Sequence, residues 1–348
     1  MKIWLIILLL TVLTPLASAC GHAERQKAGL DSEKTNKAAS GEENIQAEKI
    51  SVNVSAMTGP TVVGMIKMFE DKPQFKDNLD VTYTVAKTPD QLVASLLSGE
   101  VNVATIPTNV AAKLYNQGKP YQVAGVCGKG VQYLLSSRAD INGWEDLKGR
   151  EVHATGKGAT PDMVMRYLMR QNKIDPDKDV TLNYLPRNVE LAQTMIADRA
   201  DLAIVAEPLA TKVVQQNPKV RVVMDLQQEW QKVSDQDIFY PPVCLVFKKE
   251  LIEQEPGIVE AFVESYQKSI EWVNQNPDKA GALVAKHAEE LPSAIIPQAI
   301  PRCNISYVDA GEARQSIEKY LKMLGDMAPE TIGGKLPDDD FYYTQQPG

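Results

Sequence analysis

The sequence has few of the residues from which metal sites and nucleophilic active sites are usually built. It contains three histidines and four cysteines in 348 residues, and no two histidines have the His-x-x-x-His spacing of a helical metal site. After Cys20, the thiols Cys127, Cys244 and Cys303 can form at most one disulfide, which excludes a disulfide scaffold. Neither a Gly-x-Ser-x-Gly motif nor a Gly-x-x-x-x-Gly-Lys phosphate loop is present. We expect no metal site and no cofactor, although a catalytic pair of His153 with Cys127 stays open as an alternative.

The sequence also lacks a basic surface and a membrane-spanning segment. Lys and Arg number 37 against 45 Asp and Glu, so the formal net charge is −8 and the pI is about 5.2. Nucleic-acid binding would need clustered cations, and we expect no nucleic-acid partner. Beyond the N-terminus no run is apolar enough to cross a membrane, which takes about 20 residues.

The N-terminus has the pattern of a bacterial lipoprotein export signal. Lys2 supplies the positive start, residues 3–13 the apolar stretch, and Ala17-Ser18-Ala19 a small-residue cleavage site before Cys20. We predict that residues 1–19 are a signal peptide and that Cys20 is lipidated. Such an anchor would place the protein in the bacterial cell envelope, outside the cytoplasm. An ordinary secretory signal with an incidental cysteine is the alternative.

The segment after the cysteine differs in composition from the rest of the chain. Residues 20–48 are rich in Ala, Glu, Lys, Ser, Asn and Gln and contain almost no large apolar residue. Such a composition cannot bury a core, so we predict a disordered tether. About 300 residues remain, enough for one large domain or for two lobes of ordinary size.

Strand and helix patterns alternate through the remainder of the chain. In the first half, alternating or β-branched runs predict strands at 49–56, 80–86, 101–106 and 132–136, and helical periodicity follows at 62–69, 89–98 and 107–114. After a turn-rich connector at 141–150 the pattern restarts, with strands at 151–154, 180–184 and 202–205 and helices at 161–172 and 189–197. A strand at 243–247 and a long amphipathic helix at 259–273 follow. This alternation predicts an α/β fold with mainly parallel sheets covered by helices.

Three segments carry a family resemblance. They are residues 92–104 (LVASLLSGEVNVA), 146–152 (DLKGREV) and 197–203 (ADRADLA), the last followed by Glu207-Pro208. Their order and spacing resemble the substrate-binding lipoproteins of ABC importers, in the branch that takes up nitrate, sulfonates, taurine and thiamine pyrimidine precursors. The resemblance extends from about residue 49 to the C-terminus.

The resemblance implies a two-lobed periplasmic-binding-protein fold of type II, with one ligand enclosed in a cleft between the lobes. Lobe I would comprise residues 49–137 and 245–348, and lobe II residues 138–244. The two crossing hinge segments would lie near 136–140 and 241–245.

The function that this resemblance implies is not enzymatic. The protein would be a monomer that captures a small polar organic molecule and delivers it to an ABC permease and its ATPase. The alternative is an enzyme of the same fold, as in the fungal pyrimidine synthase of the thiamine pathway and in menaquinone-pathway enzymes. The cysteine-rich run of that synthase is absent here.

The candidate ligand-binding residues lie at four strand-to-helix junctions. Ligands in open α/β sheets bind beyond the carboxyl ends of strands, where helix N-termini present unpaired N–H groups. Proline at the first helical position lacks an N–H that would be unpaired anyway, and glycine lets the backbone approach a ligand. The predicted site residues are Thr58, Gly59, Pro60, Thr105, Pro107, Thr108, Asn109, Gly158, Ala159, Thr160 and Glu207, with Tyr240 as a stacking residue.

Each of these positions also has a purely structural interpretation. The threonines would be ordinary helix caps, Glu207 a surface residue at a helix start, and Tyr240 a half-buried packing residue. The candidate loops contain no arginine but do contain Asp162 and Glu207. A multiply charged anion would be poorly neutralised there. We therefore expect a ligand that carries hydrogen-bond donors, such as a pyrimidine-like heterocycle or an amino-sulfonate, rather than nitrate or phosphate.

Overall fold

A computed structural model describes residues 49–235, 237–289 and 291–344. The predicted signal peptide, the tether and Cys20 lie outside the described residues. Within these ranges no helix is both long and apolar enough to cross a membrane.

The described residues form eleven strands and twelve α-helices. The strands are β1 (Ile50–Met57), β2 (Leu79–Ala86), β3 (Val103–Pro107), β4 (Tyr121–Gly128), β5 (Gln132–Ser136), β6 (Glu151–Thr155), β7 (Thr181–Leu185), β8 (Leu202–Ala206), β9 (Arg221–Asp225), β10 (Val243–Lys248) and β11 (Ile305–Asp309). The helices are α1 (Pro60–Asp71), α2 (Pro89–Ser98), α3 (Thr108–Asn116), α4 (Thr160–Gln171), α5 (Asn188–Ile196), α6 (Leu209–Gln216), α7 (Leu226–Val233), α8 (Lys249–Gln254), α9 (Pro256–Gln275), α10 (Pro277–His287), α11 (Ile296–Ala299) and α12 (Ala310–Met327). Short 3-10 helices lie at Glu145–Leu147, Ser293–Ile295, Ile300–Arg302, Pro329–Ile332 and Asp339–Phe341.

The strands form two sheets, and each sheet with its helices is one lobe. The six-stranded sheet of lobe I has the order β11-β4-β10-β3-β1-β2, and the five-stranded sheet of lobe II has the order β7-β6-β8-β5-β9. The predicted parallel pairing is present between β1 and its neighbours β2 and β3, and between β6 and its neighbours β7 and β8. Two strands of the lobe I sheet run opposite to the rest: β10 is antiparallel to β3 and β4, and β11 is antiparallel to β4. In the lobe II sheet β5 is antiparallel to β8 and β9.

The position of β5 corrects the predicted lobe boundary. The sequence prediction assigned residues 132–136 to lobe I and the first crossing to 136–140. In the structure this strand pairs with β8 and β9 of lobe II, so the chain leaves lobe I at residues 129–131, the first crossing segment. The chain returns along residues 238–242, the second crossing segment, which leads into β10 of lobe I. The prediction was wrong because the buried centre of β5, Tyr133-Leu134-Leu135, carries no signal for the sheet it joins.

The helices bury the faces that their periodicity predicted. In α9 the predicted apolar stripe is buried at every position, namely Val259, Phe262, Val263, Tyr266, Ile270 and Val273. Helix α2 begins at a proline after Thr88, whose side chain accepts a hydrogen bond from Gln91 N, and it buries Leu92 and Leu96. Leu97, which was expected to face inward, is 44% exposed, because it lies about 100° around the helix from Leu96.

Candidate functional site

A cavity of about 130 Å³ lies where the two lobes and both crossing segments meet. Lobe II contributes residues at strand ends and at the first turns of α4 and α5, and lobe I contributes one residue from the middle of α12. The lining residues are Val131, Gln132, Thr155, Thr160, Pro161, Val164, Asn188, Ile204, Ala206, Tyr240, Pro242 and Tyr320. A volume well below the 300 Å³ of typical drug-sized sites suits a ligand of few atoms.

The lobe II wall of this cavity is polar but uncharged. Thr160 begins α4, and Asn188 begins α5. Thr155, at the end of β6, donates a hydrogen bond from Oγ1 to Oδ1 of Asn188. This bond fixes the side chain of Asn188, whose Nδ2 has no hydrogen-bond partner among the described residues. The wall therefore presents hydroxyl and amide groups at two helix N-termini, where the backbone adds partial positive charge.

The opposite wall is aromatic. Tyr240 is 2% exposed and Tyr320 1% exposed, and their ring centroids are 6.2 Å apart. Trp230 packs behind them, 5.6 Å from the ring of Tyr240 and 6.2 Å from that of Tyr320. These separations are typical of aromatic packing and hold the rings in place.

The hydroxyl of Tyr240 is the polar atom of the site that most needs a partner. It is buried, and its O–H reaches no acceptor with good hydrogen-bond geometry in the described part of the chain, although the backbone N–H of Gln132 lies near its oxygen. Burial raises the pKa of Tyr240 well above its usual value, so the hydroxyl is protonated and can donate. An unpaired buried hydroxyl is costly. A polar ligand atom in the cavity would supply the missing partner.

The cavity has no charged lining. Among the described residues that line it there is no Asp, Glu, His, Lys or Arg. The charge of a bound anion would be compensated by helix N-termini alone. The charge of a bound cation would be compensated by no lining carboxylate. The lining therefore favours an uncharged polar ligand or a zwitterion, whose net charge is zero.

Two of the twelve predicted residues, Thr160 and Tyr240, line this cavity. Thr58 instead lines a second cavity, of about 230 Å³, with Lys286 and His287 of α10. Gly59 precedes α1 with a φ of 121°, which favours glycine, and Pro60 is the first residue of that helix. This junction is not part of the lining between the lobes.

The junction before α3 is used to hold the second crossing segment. Thr105 Oγ1 accepts a hydrogen bond from Met57 N at 3.2 Å. Thr108 donates from Oγ1 to the carbonyl of Pro241 at 2.7 Å. Asn109 donates from Nδ2 to the carbonyl of Thr331 at 3.3 Å. The polar groups of these three side chains are therefore taken up within lobe I and its crossing, and Pro107, the residue before α3, is also outside the lining.

The remaining predicted residues form contacts within the protein. Gly158 donates its N–H to Asp162 Oδ2 at 2.8 Å, and Ala159 is the residue before α4. Glu207 was expected either to face a ligand in the cleft or to lie on the surface. In the structure its side chain is fully buried, and it accepts a hydrogen bond from Arg302 Nε at 2.7 Å. Glu207 therefore does not line the cavity, because a residue far along the chain already neutralises it.

The site residues that sequence reasoning missed fall into two groups. Thr155 and Asn188 follow strands β6 and β7, so the rule of strand-to-helix junctions, applied to every junction, would have found them. Tyr320 lies in the middle of α12 and has the spacing of an ordinary core residue. No local signal marks it as part of a site.

The structure separates the two residues of the alternative catalytic pair. Cys127 lies in β4 of lobe I, whereas His153 lies in β6 of lobe II, with Nε2 3.4 Å from Asn183 Nδ2. All three thiols of the described chain are free and buried. Burial raises the pKa of Cys127 well above its usual value and that of Cys244 to about 12, so neither thiol is an activated nucleophile.

In the described ranges no group of three His, Cys, Asp or Glu residues is arranged to hold a metal ion.

Comparison with known proteins places the fold among binding proteins of ABC importers. An ABC transporter structure from Parabacteroides distasonis is similar with a TM-score of 0.74 and 26% identity, over 86% of this chain and 100% of the other. The periplasmic aliphatic sulphonate binding protein SsuA of Escherichia coli matches with a TM-score of 0.65 and 14% identity, over 82% and 94% of the two chains. The latter likeness concerns the fold alone.

Curated relatives point in the same direction at low identity. The putative binding protein YtlA of Bacillus subtilis is 23% identical over 66% of this chain and 67% of its own length. The nitrate/nitrite binding protein NrtA of a Nostoc species is 24% identical over 64% of this chain, and the match spans half of that relative's length. The resemblance to substrate-binding proteins of the nitrate and sulfonate type, expected from the three sequence segments, is thus confirmed.

The family assignment comes from a longer match. Residues 61–326, well over half of the chain and both lobes, match a single family. The chain therefore belongs to the family described as "Menaquinone biosynthesis", in a two-lobed fold that it shares with ABC substrate-binding proteins.

Proposed function

We propose that this chain is a lipid-anchored solute-binding protein that works outside the cytoplasm. It captures a small polar organic molecule between its lobes and delivers it to an ABC permease and its ATPase. The observation that carries this proposal is the cavity lined by both lobes and both crossing segments. The similarity to a sulphonate binding protein and to a nitrate/nitrite binding protein supports it. The export signal at 1–19 and the tether at 20–48 supply the anchor.

The lining favours a ligand that carries its own hydrogen-bond donors and acceptors. The polar side chains of the lining are the hydroxyl groups of Thr155, Thr160, Tyr240 and Tyr320 and the amides of Gln132 and Asn188. These groups recognise hydrogen-bond geometry and provide no countercharge. A small heterocycle or a zwitterion fits this set better than nitrate does.

Transport requires that the ligand enter and leave, so the lobes must part at the crossing segments. A ligand shifts the balance between open and closed forms only by binding the closed form more tightly. Groups from both lobes line the cavity, and a bound molecule would contact both of them only when the lobes are closed. Closure on binding follows from this arrangement.

The proposal is tested first by a search for the ligand. A metabolite library is screened by thermal shift, and each compound that raises the melting temperature is titrated by calorimetry. Tyr240→Phe should weaken binding of the identified compound by about 0.5 to 1.5 kcal/mol, the typical value of one hydrogen bond. Tyr83→Phe is the matched control, because Tyr83 Oη is also buried without a partner in the described structure but lies in β2, outside the cavity lining. Equal affinity in both variants would remove the Tyr240 hydroxyl from the site.

The second candidate function is an enzyme, which the family description favours. The cavity offers an enzyme only hydroxyl and amide groups, and burial raises the pKa of both lining phenols. Mass spectrometry of each identified compound before and after incubation separates the two functions. An unchanged compound supports a binding protein, and a protein-dependent product would establish the enzyme.

A further inference from the structure

Arg302 of lobe I reaches across the lobe boundary into lobe II. It ends the 3-10 helix Ile300–Arg302, just before β11. Its Nε donates to Glu207 Oε1 at 2.7 Å, and its guanidinium also donates to Thr211 Oγ1 at 2.6 Å. Glu207 follows β8 and Thr211 lies in α6, so both belong to lobe II. We call Arg302, Glu207 and Thr211 the interlobe clasp.

The carboxylate of the clasp is removed from water completely. The side chain of Glu207 is 0% exposed, whereas that of Arg302 is 35% exposed. The second carboxylate oxygen of Glu207 accepts the backbone N–H of Thr211 at 3.0 Å. A buried carboxylate with one backbone donor and no cation would be strongly unfavourable. Arg302 supplies the cation that this carboxylate needs.

Neighbouring hydrogen bonds tie the same part of lobe I to the first crossing and to lobe II. Tyr133, in β5, donates from its hydroxyl to the carbonyl of Arg302 at 2.8 Å. Asn304 donates from Nδ2 to the carbonyl of Gly130 and accepts the N–H of Lys129 at 3.2 Å. Residues 302–304 thus form a third connection between the lobes beside the two covalent crossings.

We propose that Arg302 and Glu207 are a positioning pair in which Arg302 neutralises the buried carboxylate of Glu207 and thereby permits the lobes to close around the cavity. Neither side chain of the pair lines the cavity, although the backbone N–H of Glu207 donates to the carbonyl of Val131, a lining residue, at 3.0 Å. The pair acts through the angle between the lobes. This inference rests on the proposed binding function of the cleft, since only there does lobe closure control access. Opening separates the two charges and returns both to water, so the intact pair has a modest net effect and permits exchange of ligand. Loss of one partner leaves the other charge buried only in the closed form, which favours opening.

The test measures the distance between the lobes without any ligand. Spin labels are placed on Ala94→Cys in α2 and Gln193→Cys in α5, both of which are exposed helix positions in different lobes. The full-length chain carries Cys20→Ser and is studied in detergent. Labelling is directed to the two introduced thiols, because Cys127, Cys244 and Cys303 are buried. Distance distributions are recorded by double electron–electron resonance.

Arg302→Met should lower the ratio of short-distance to long-distance molecules by at least about tenfold, because it leaves the Glu207 carboxylate buried without its cation. The double variant Arg302→Met with Glu207→Gln removes both charges and should recover most of the short-distance population. A purely structural role of Arg302 would not predict this recovery. Arg221→Met is the matched control, since within the described ranges Arg221 bonds to lobe II alone, at Ile141, Asn142 and Arg138. It should keep the wild-type distances.

Two results would overturn the proposal. One is a wild-type distance distribution in Arg302→Met, and the other is a double variant that is as open as the single one. If Arg302→Met does not fold, Glu207→Gln takes its place and should show the same opening to a smaller extent, because Arg302 keeps some contact with water. Unchanged distances in that variant would refute the pair. No ligand is present, so failure of the metabolite screen would count against the proposed function alone.

Discussion

Gly130 is the position at which a single added methyl group should disturb the cavity most. It lies in the first crossing segment, directly against the ring of Tyr240. A Cβ built on Gly130 would lie 1.8 Å from Tyr240 Cζ and 2.1 Å from its hydroxyl oxygen. These distances are far below any van der Waals contact, so Gly130→Ala requires that one of the two groups move by more than an ångström.

Neither group can move easily. The backbone of Gly130 donates its N–H to Gln227 Oε1 at 3.0 Å, and its carbonyl accepts from Asn304 Nδ2. The ring of Tyr240 packs between Trp230 and Tyr320. Overpacking of this kind typically costs about 1 to 3 kcal/mol. The reduced freedom of the unfolded chain that alanine brings offsets about 0.4 to 1 kcal/mol. We expect a net loss of about 1 to 2 kcal/mol in the free energy of unfolding.

The loss is measured by urea denaturation followed by circular dichroism. Gly143→Ala is the matched control, because a Cβ at Gly143 would meet no atom within 4 Å. That variant should be at least as stable as the wild type. Tyr240→Ala should cost about 3 to 5 kcal/mol. Combined with Gly130→Ala it should cost at least about 1 kcal/mol less than the sum, since the methyl group then occupies space that the ring has left. Strict additivity, or a Gly130→Ala variant as stable as Gly143→Ala, would refute this account.

Three further predictions concern the anchor, the thiols and the surface charges. Cys20→Ser should release the protein from membranes, and its persistence in the membrane fraction in detergent-free buffer would exclude the lipid anchor. In the same variant Cys127, Cys244 and Cys303 should react with a thiol reagent only after unfolding in denaturant, because all three are buried; rapid reaction in buffer would contradict this. Hydrogen bonds from Lys286 and His287 lower the pKa of Glu70 from 4.5 to about 2. The folded-state pKa is depressed, so the stabilisation is present above pH 4.5 and is lost as the pH falls towards 2. The stability difference between wild type and Glu70→Gln should shrink over that interval, and a constant difference would show that the three groups are not coupled.

The alternation of strands and helices could be predicted well because it depends on local periodicity. Helix α2 and strand β5 have the predicted bounds, and the apolar stripe of α9 is buried as expected. The sheet to which a strand belongs is a different matter, since it is decided by pairing between distant segments. Strand β5 shows this, because its central residues would be buried equally well in either lobe.

The site could be predicted only in part for a similar reason. A proline or threonine at a helix start indicates a helix with free N–H groups. It does not indicate which neighbouring group will accept hydrogen bonds from them. The hydroxyl of Thr108 donates to the carbonyl of Pro241 in the second crossing segment, whereas Thr160 lines the cavity. The two junctions look alike in sequence, and they differ because the crossing presents a backbone carbonyl, that of Pro241, to the hydroxyl of Thr108.

Glu207 shows most clearly why long-range contacts decide the chemistry of this cleft. Its carboxylate would have been the strongest ligand group in the candidate loops, and it would have selected a cationic or donor-rich ligand. Arg302, 95 residues away along the chain, neutralises it instead. In the proposed mechanism the charge serves the closure of the lobes, and the hydroxyl and amide groups of the cavity recognise the ligand by hydrogen-bond geometry. A protein built in this way can select its ligand by shape and by donor pattern, while the affinity depends on how firmly the lobes close.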